Sequence, residues 1–194
     1  MNQVIRVLSK VPDDLFMNAR DEVLKIDWNN LPIPDRRSEA TVFKTSITNH
    51  LRVHNITKDT PHTIEALSAI VECRDTPARQ LYPEVDKLVS WIFKAVDGTK
   101  LGRIMIVKLM PGGIIGEHID PGQYFLEHYR FHIPIITDPE VLFFGEDKDH
   151  PMHMPEGYLS QLANRKKHSA ENRSNVERIH IIVDIDSDNP TYNI

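Results

Sequence analysis

The sequence predicts an α+β fold in which helices come first and an antiparallel β-barrel of the jelly-roll kind follows. Three observations point there. The first half carries amphipathic helical patterns, the texture changes after Gly98 to short apolar runs broken by turns, and those runs recur at even spacing. A chain of 194 residues suits one globular domain with a full core, so a single unit over 1–194 is expected.

Residues 12–27, "PDDLFMNARDEVLKID", place Leu15, Phe16, Ala19, Val23 and Leu24 at helical spacing behind an Asp-rich start. "NNLPIPDRRSE" reads as loop. "ATVFKTSITNHLRVHNI" is rich in β-branched residues and predicts one or two strands. "TPHTIEALSAIVECRD" reads as a helix capped by Thr63, with Cys73 inside it as a small buried hydrophobe. "YPEVDKLVSWIFKAVDG" gives a stripe of Val85, Leu88, Val89, Ile92 and Phe93, stopped by Gly98. The strands then follow as "GRIMIVKLM", "GIIGEHID", "HYRFHIPIIT", "EVLFFGED", "GYLSQLANRK" and "ERIHIIVDI". Residues 1–100 are thus mostly helical with early strands, 101–186 form the barrel, and 187–194 are a tail.

Composition removes several classes of function. Hydrophobic content of 40% and charged content of 26% are those of an ordinary soluble fold. A net charge of −5 argues against a nucleic-acid partner, and the best basic cluster, "NRKKH" at 164–168, is equally a solvated turn. No stretch approaches the roughly 20 apolar residues of a membrane helix, and the N-terminus lacks a signal-peptide pattern. Cys73 is the single cysteine, which excludes an intramolecular disulfide and a cysteine zinc cluster. A reducing cytoplasmic setting is expected.

Alternation assigns the faces of the later strands. In "HYRFHIPII" one face carries His128, Arg130 and His132, and the other Tyr129, Phe131, Ile133 and Ile135. In "ERIHIIVDI", Arg178, His180, Ile182 and Asp184 oppose Ile179, Ile181, Val183 and Ile185. Two arrangements satisfy this pattern: polar faces in water, the common case for antiparallel sheets, or polar faces lining a pocket inside a barrel. The residue types favour the pocket, because Arg and His recur where a solvated face would use Lys and Glu.

"GEHIDPG" (116–122) sets His118 and Asp120 on one face. The pair offers an imidazole nitrogen and a carboxylate oxygen to one ion, although a solvated turn would look the same. A second histidine from a distant strand would complete the facial triad of non-haem Fe(II) oxygenases. The downstream candidates are His128, His132, His150, His153, His168 and His180. His168 is the best placed: the chain has room to turn back before it, and Arg178 follows. An arginine there is what the distal carboxylate of 2-oxoglutarate requires, the rival reading being an ion pair with Asp184 or Glu177. For His150 and His153 a polar loop is the better account. His50, Arg52 and His54 share a strand face and either reach the pocket mouth or lie exposed.

Taken together, "MPGGIIGEHID", "YRFHIPIITDPEVLFF", "NRKKHSAEN" and "ERIHIIVDI" resemble the aspartyl/asparaginyl β-hydroxylase family of Fe(II)/2-oxoglutarate oxygenases, over roughly 101–186. The resemblance implies a cupin-like double-stranded β-helix core, with His118, Asp120 and His168 holding iron and Arg178 binding the distal carboxylate of 2-oxoglutarate. Arg130 and His132 resemble the family's Arg-x-His beside the cosubstrate, against the alternative of a buried hydrogen-bonded pair. With Asp120 present, the sequence is similar to the branch with the complete triad. The implied activity is hydroxylation by dioxygen of an unactivated C–H in an amino acid, free or within a peptide. Two rivals remain: a metal-binding cupin acting as an isomerase or ligand sensor, with Arg178 dispensable, and a non-catalytic β-sandwich with incidental histidines. Selectivity is expected from residues 1–100 and the loops at 121–128 and 146–157.

Overall fold

A computed structural model of the protein describes residues 4–32, 46–56, 59, 63 and 69–189. The chain opens with strand β1 (Ile5–Lys10) and helix α1 (Asp13–Val23), followed by β2 (Ser46–His54) and β3 (Cys73–Asp75). A 3₁₀ turn (Pro77–Leu81) leads into helix α2 (Pro83–Ala95). After it come β4 (Gly98–Leu109), β5 (Ile114–His118), the short helix α3 (Gln123–Glu127), β6 (Tyr129–Ile136) and β7 (Val141–Phe144). The last strands are β8 (Tyr158–Leu162), β9 (His168–Asn172) and β10 (Arg178–Ser187).

These strands form two antiparallel sheets, one ordered β1-β8-β6-β10-β4-β2-β3 and the other β5-β9-β7. The two enclose a cavity between them, giving the α+β double-stranded β-helix. Helices α1 and α2 lie against the outer face of the larger sheet. There Ile179, Ile181, Val183 and Ile185 of β10 and Phe131, Ile133 and Ile135 of β6 join one core with Val85, Leu88, Val89 and Ile92 of α2. The two helices are also tied end to side: Glu22 of α1 accepts from the backbone N–H of Val85 at 2.9 Å, capping the first turn of α2. Helix α2 leaves through Asp97, not Gly98, in the left-handed region (φ 51°).

With its apolar face covered by helices, the larger sheet turns its polar face to the cavity. Arg130, His132, Arg178, His180 and Asp184 are all buried. Alternation in these strands therefore separates helix-facing from cavity-facing residues, rather than core from solvent.

The N-terminal half supplies β1, β2 and β3 to the larger sheet beside helices α1 and α2, and one expectation, a helical Cys73, needs correction. Strand β1 is not evident from composition; it is fixed by its pairing with β8, Ile5 opposite Leu162 and Val7 opposite Ser160. Cys73 lies in a strand, because β3 pairs with Arg52, Val53 and His54 of β2 and Arg52 donates to its carbonyl at 2.8 Å. Long-range pairing overrides local helical pattern there. Most of the helix expected ahead of Cys73, like the tail from residue 190 onward, lies outside the described residues. No helix among those described is long and apolar enough to cross a membrane.

Candidate metal centre

His118 ends β5 and His168 begins β9, and the two are direct cross-strand partners. Their rings sit 4.3 Å apart between centroids. Asp120 lies just beyond β5, where its backbone N–H donates to Asn164 O at 3.1 Å and Gly122, at φ 98°, turns the chain into α3. His118 Nε2 is 3.9 Å from Asp120 Oδ1, and one ligand atom from each of the three residues falls within 4.8 Å of the others. Among the described residues no other group of His, Cys, Asp or Glu meets that condition.

The proton positions follow from the partners. His118 Nδ1 lies 2.8 Å from Gly116 O, and His168 Nδ1 lies 2.8 Å from Lys166 O. A carbonyl only accepts, so each Nδ1 carries its hydrogen and each Nε2 keeps a bare lone pair for an ion. Burial lowers the His168 pKa to about 4, which keeps the imidazole in the neutral, ligating form.

Asp120 is oriented in turn by Arg130, whose Nη1 donates to Asp120 Oδ2 at 2.5 Å. The same guanidinium donates from Nε to Asp184 Oδ1 at 2.9 Å and from Nη2 to Asp184 Oδ2 at 3.2 Å. Arg103 of β4 reaches Asp184 Oδ2 at 2.9 Å, and the hydroxyl of Tyr124 approaches that oxygen at 3.3 Å. Phe125 lies under both arginines, 5.1 Å from Arg130 and 4.8 Å from Arg103. Burial raises the Asp184 carboxyl pKa, but the two guanidinium groups outweigh it and hold the pKa well below the usual range.

The cavity of about 220 Å³ is lined by all three of these ligands and by Arg130, His132 and Arg178. Arg178 is 1% exposed, yet Nε and Nη1 have no protein partner and Nη2 meets only His180 Nδ1 at 2.9 Å. The ion pairs expected as rivals are absent among the described residues: Glu177 pairs with Lys108 and Asp184 with Arg103 and Arg130. Burial lowers the Arg178 pKa to about 9. Such a site favours an incoming anion. The donor set therefore fits both implied groups: two bare imidazole nitrogens and a carboxylate for a ferrous ion, and an unmatched buried cation for a dicarboxylate.

A sequence profile of the family described as aspartyl/asparaginyl beta-hydroxylase matches residues 20–188. The chain belongs to that family. No curated protein sequence matches it significantly. Solved structures show what fold this aspartyl/asparaginyl beta-hydroxylase family member is similar to. An oxidoreductase of the 2OG-Fe(II) oxygenase family from Burkholderia pseudomallei aligns with TM-score 0.61 at 11% identity, over 98% of this chain and 87% of that one. A prolyl hydroxylase from Trichoplax adhaerens, in complex with a hypoxia inducible factor peptide fragment, gives 0.59 at 9% identity over 96% and 84%. A Pseudomonas putida prolyl-4-hydroxylase gives 0.53 at 14% identity over 97% and 95%.

The remaining candidates separate cleanly. His150 pairs with Asp147 in an exposed loop, and His153 Nδ1 lies 3.1 Å from Val141 O. Arg52 is spent on Asp75 and backbone carbonyls, while His54 packs edge-on against Tyr124 at 4.5 Å; neither lines the cavity, and nor does His50. Sequence reasoning missed Arg103, Tyr124 and Asp184 as parts of the site. Arg103, Met105 and Val107 alternate in β4 and all line the cavity, so the period-two reading applied to β6 and β10 would have found Arg103.

Proposed function

We propose that the protein is an Fe(II)- and 2-oxoglutarate-dependent hydroxylase acting on an unactivated C–H bond of an amino-acid-type substrate, free or within a peptide. The observation that carries this is the buried, unmatched guanidinium of Arg178 opening on the same cavity as three convergent ligand atoms. Family membership supports it, and so does the fold shared with prolyl hydroxylases.

In this reading His118, Asp120 and His168 would hold the ion. When bound, the iron and 2-oxoglutarate supply the oxidising chemistry, with succinate and carbon dioxide released as hydroxyl is placed on the substrate. The chain's own residues bind, orient and shield. Arg178 would pair with the distal carboxylate, recovering the charge partner that burial denies it. Arg130 and His132 border the cosubstrate, Arg130 also fixing Asp120. Met105, Phe143 and Ile182 form apolar walls that exclude water. Phe125 of α3 brings the 121–128 segment to the pocket.

The test is succinate formation with iron, dioxygen and 2-oxoglutarate, alongside a mass-spectrometric screen of amino acids and peptides for a gain of one oxygen. His118→Ala and His168→Ala should each abolish turnover, and Arg178→Met should abolish succinate formation from 2-oxoglutarate. A metal-dependent activity indifferent to Arg178→Met would instead identify a cupin-type isomerase or sensor.

A further inference from the structure

His180 has no part in the site as described so far, yet it touches both side chains assigned to the cosubstrate. It sits on the cavity face of β10 two residues after Arg178 and is 0% exposed. Its Nδ1 is 2.9 Å from Arg178 Nη2 and 3.2 Å from His132 Nδ1. A guanidinium only donates, so His180 Nδ1 is the acceptor and the ring carries its proton on Nε2. His132 must then bear the hydrogen on its own Nδ1. One lone pair thus holds both neighbours. Phe143 backs the group, stacked on His180 at 6.0 Å and lying 5.3 Å under Arg178.

The choice of a neutral acceptor has a chemical reason. A carboxylate at this position would orient Arg178 equally well, but it would also neutralise it, and an incoming dicarboxylate would have to displace an ion pair. An imidazole lone pair orients the guanidinium and leaves its charge uncompensated. We propose that His180 is a positioning residue for the 2-oxoglutarate subsite, holding Arg178 and His132 in place while keeping Arg178 available to an anion. This rests on the hydroxylase reading above.

The experiment measures 2-oxoglutarate binding to the full chain loaded with Mn(II), by calorimetry, for wild type and for His180→Asn, His180→Leu and His180→Asp, with thermal melting of each. Asn places an amide oxygen near the position of Nδ1, so His180→Asn should bind within about threefold of wild type, whereas His180→Leu should bind about tenfold or more weakly. His180→Asp should bind at least as weakly as His180→Leu despite its intact acceptor. In turnover, His180→Leu should raise the KM for 2-oxoglutarate far more than it lowers kcat. A folded His180→Leu protein with wild-type affinity, or His180→Asp binding as tightly as wild type, overturns the proposal. If His180→Leu fails to fold, the contrast between Asn and Asp decides it. A wild type that binds Mn(II) but no 2-oxoglutarate would instead overturn the hydroxylase reading, and this inference with it.

Discussion

Arg130 and Asp184 meet through two hydrogen bonds inside the barrel, Nε to Oδ1 at 2.9 Å and Nη2 to Oδ2 at 3.2 Å, with Asp184 0% exposed. The arginine's remaining arm goes to the carboxylate of Asp120, whose other oxygen faces His118. Charge therefore alternates along Arg103, Asp184, Arg130 and Asp120, from β4 across β10 and β6 to the end of β5.

Asp184→Ala removes the shared anion and leaves two guanidinium groups facing each other in a buried site. Breaking such a group costs about 3–5 kcal/mol. Urea unfolding of the metal-free protein should show a loss of that size, with Asp184→Asn losing less because it keeps a hydrogen-bond acceptor.

Arg130→Met frees the Asp120 carboxylate to rotate away from the imidazoles. Removing a group that orients a metal ligand typically weakens metal affinity about 10- to 100-fold. Mn(II) titration of the folded variant should show this. His132→Ala, which touches none of the three ligands in the hydrogen-bond network, should leave metal affinity near wild type.

Stability should fall on mild acidification. Burial first, and then the charge of Arg178, hold the pKa values of His132 and His180 well below 6.5. The unfolded chain therefore binds protons below pH 6.5 that the native protein refuses. Unfolding free energy should drop by roughly 1.4 kcal/mol per pH unit for each of the two as pH falls from 6.5 toward their folded-state pKa values, and be indifferent to them above. Asp184 extends the decline at lower pH, since its depressed pKa adds stability above 3.8 that is lost as it protonates. Chemical denaturation of metal-free protein from pH 7.5 to 4.5 measures the slope, which His180→Asn should reduce.

Gly102→Ala tests how tightly α3 is seated. An added Cβ would lie 2.2 Å from the Tyr124 hydroxyl, 2.7 Å from His128 Cδ2 and 2.8 Å from the Asp184 carbonyl oxygen. The backbone atom cannot move aside, so Tyr124 must leave the Arg103 N–H that donates to it at 2.7 Å. A loss of about 1–3 kcal/mol is expected, with a changed near-ultraviolet signal from the displaced tyrosine.

The convergence of His118, Asp120 and His168 was partly legible because two of the three lie two residues apart, and Arg178 heads an alternating strand. The inward polar faces were legible from residue type, Arg and His standing where surface strands carry Lys and Glu. What escaped depends on partners remote in the chain. Strand β1 exists because β8 offers an edge, and β3 because β2 does. Asp184 and Glu177 are both nearby acids to Arg178 in sequence; only the third dimension shows Arg103 and Arg130 holding the first and Lys108 the second. Strand β9, polar but for Ala170, carries no apolar alternation to betray it, since Ala170 alone joins the neighbouring core.

His118 and His168 face each other across the β5–β9 ladder, with an irregularity between Ile115 and His118 that brings them level. A slip of one residue would throw either imidazole to the opposite side of its ribbon. An ion seated there acts as a rivet, fastening two neighbouring strands of the thinner sheet in a single alignment. Amide hydrogens of β5 and β9 should consequently exchange more slowly once metal is added, while those of the helix-backed sheet hardly change. On the function proposed above, metal loading would then complete the fold as well as arm the site.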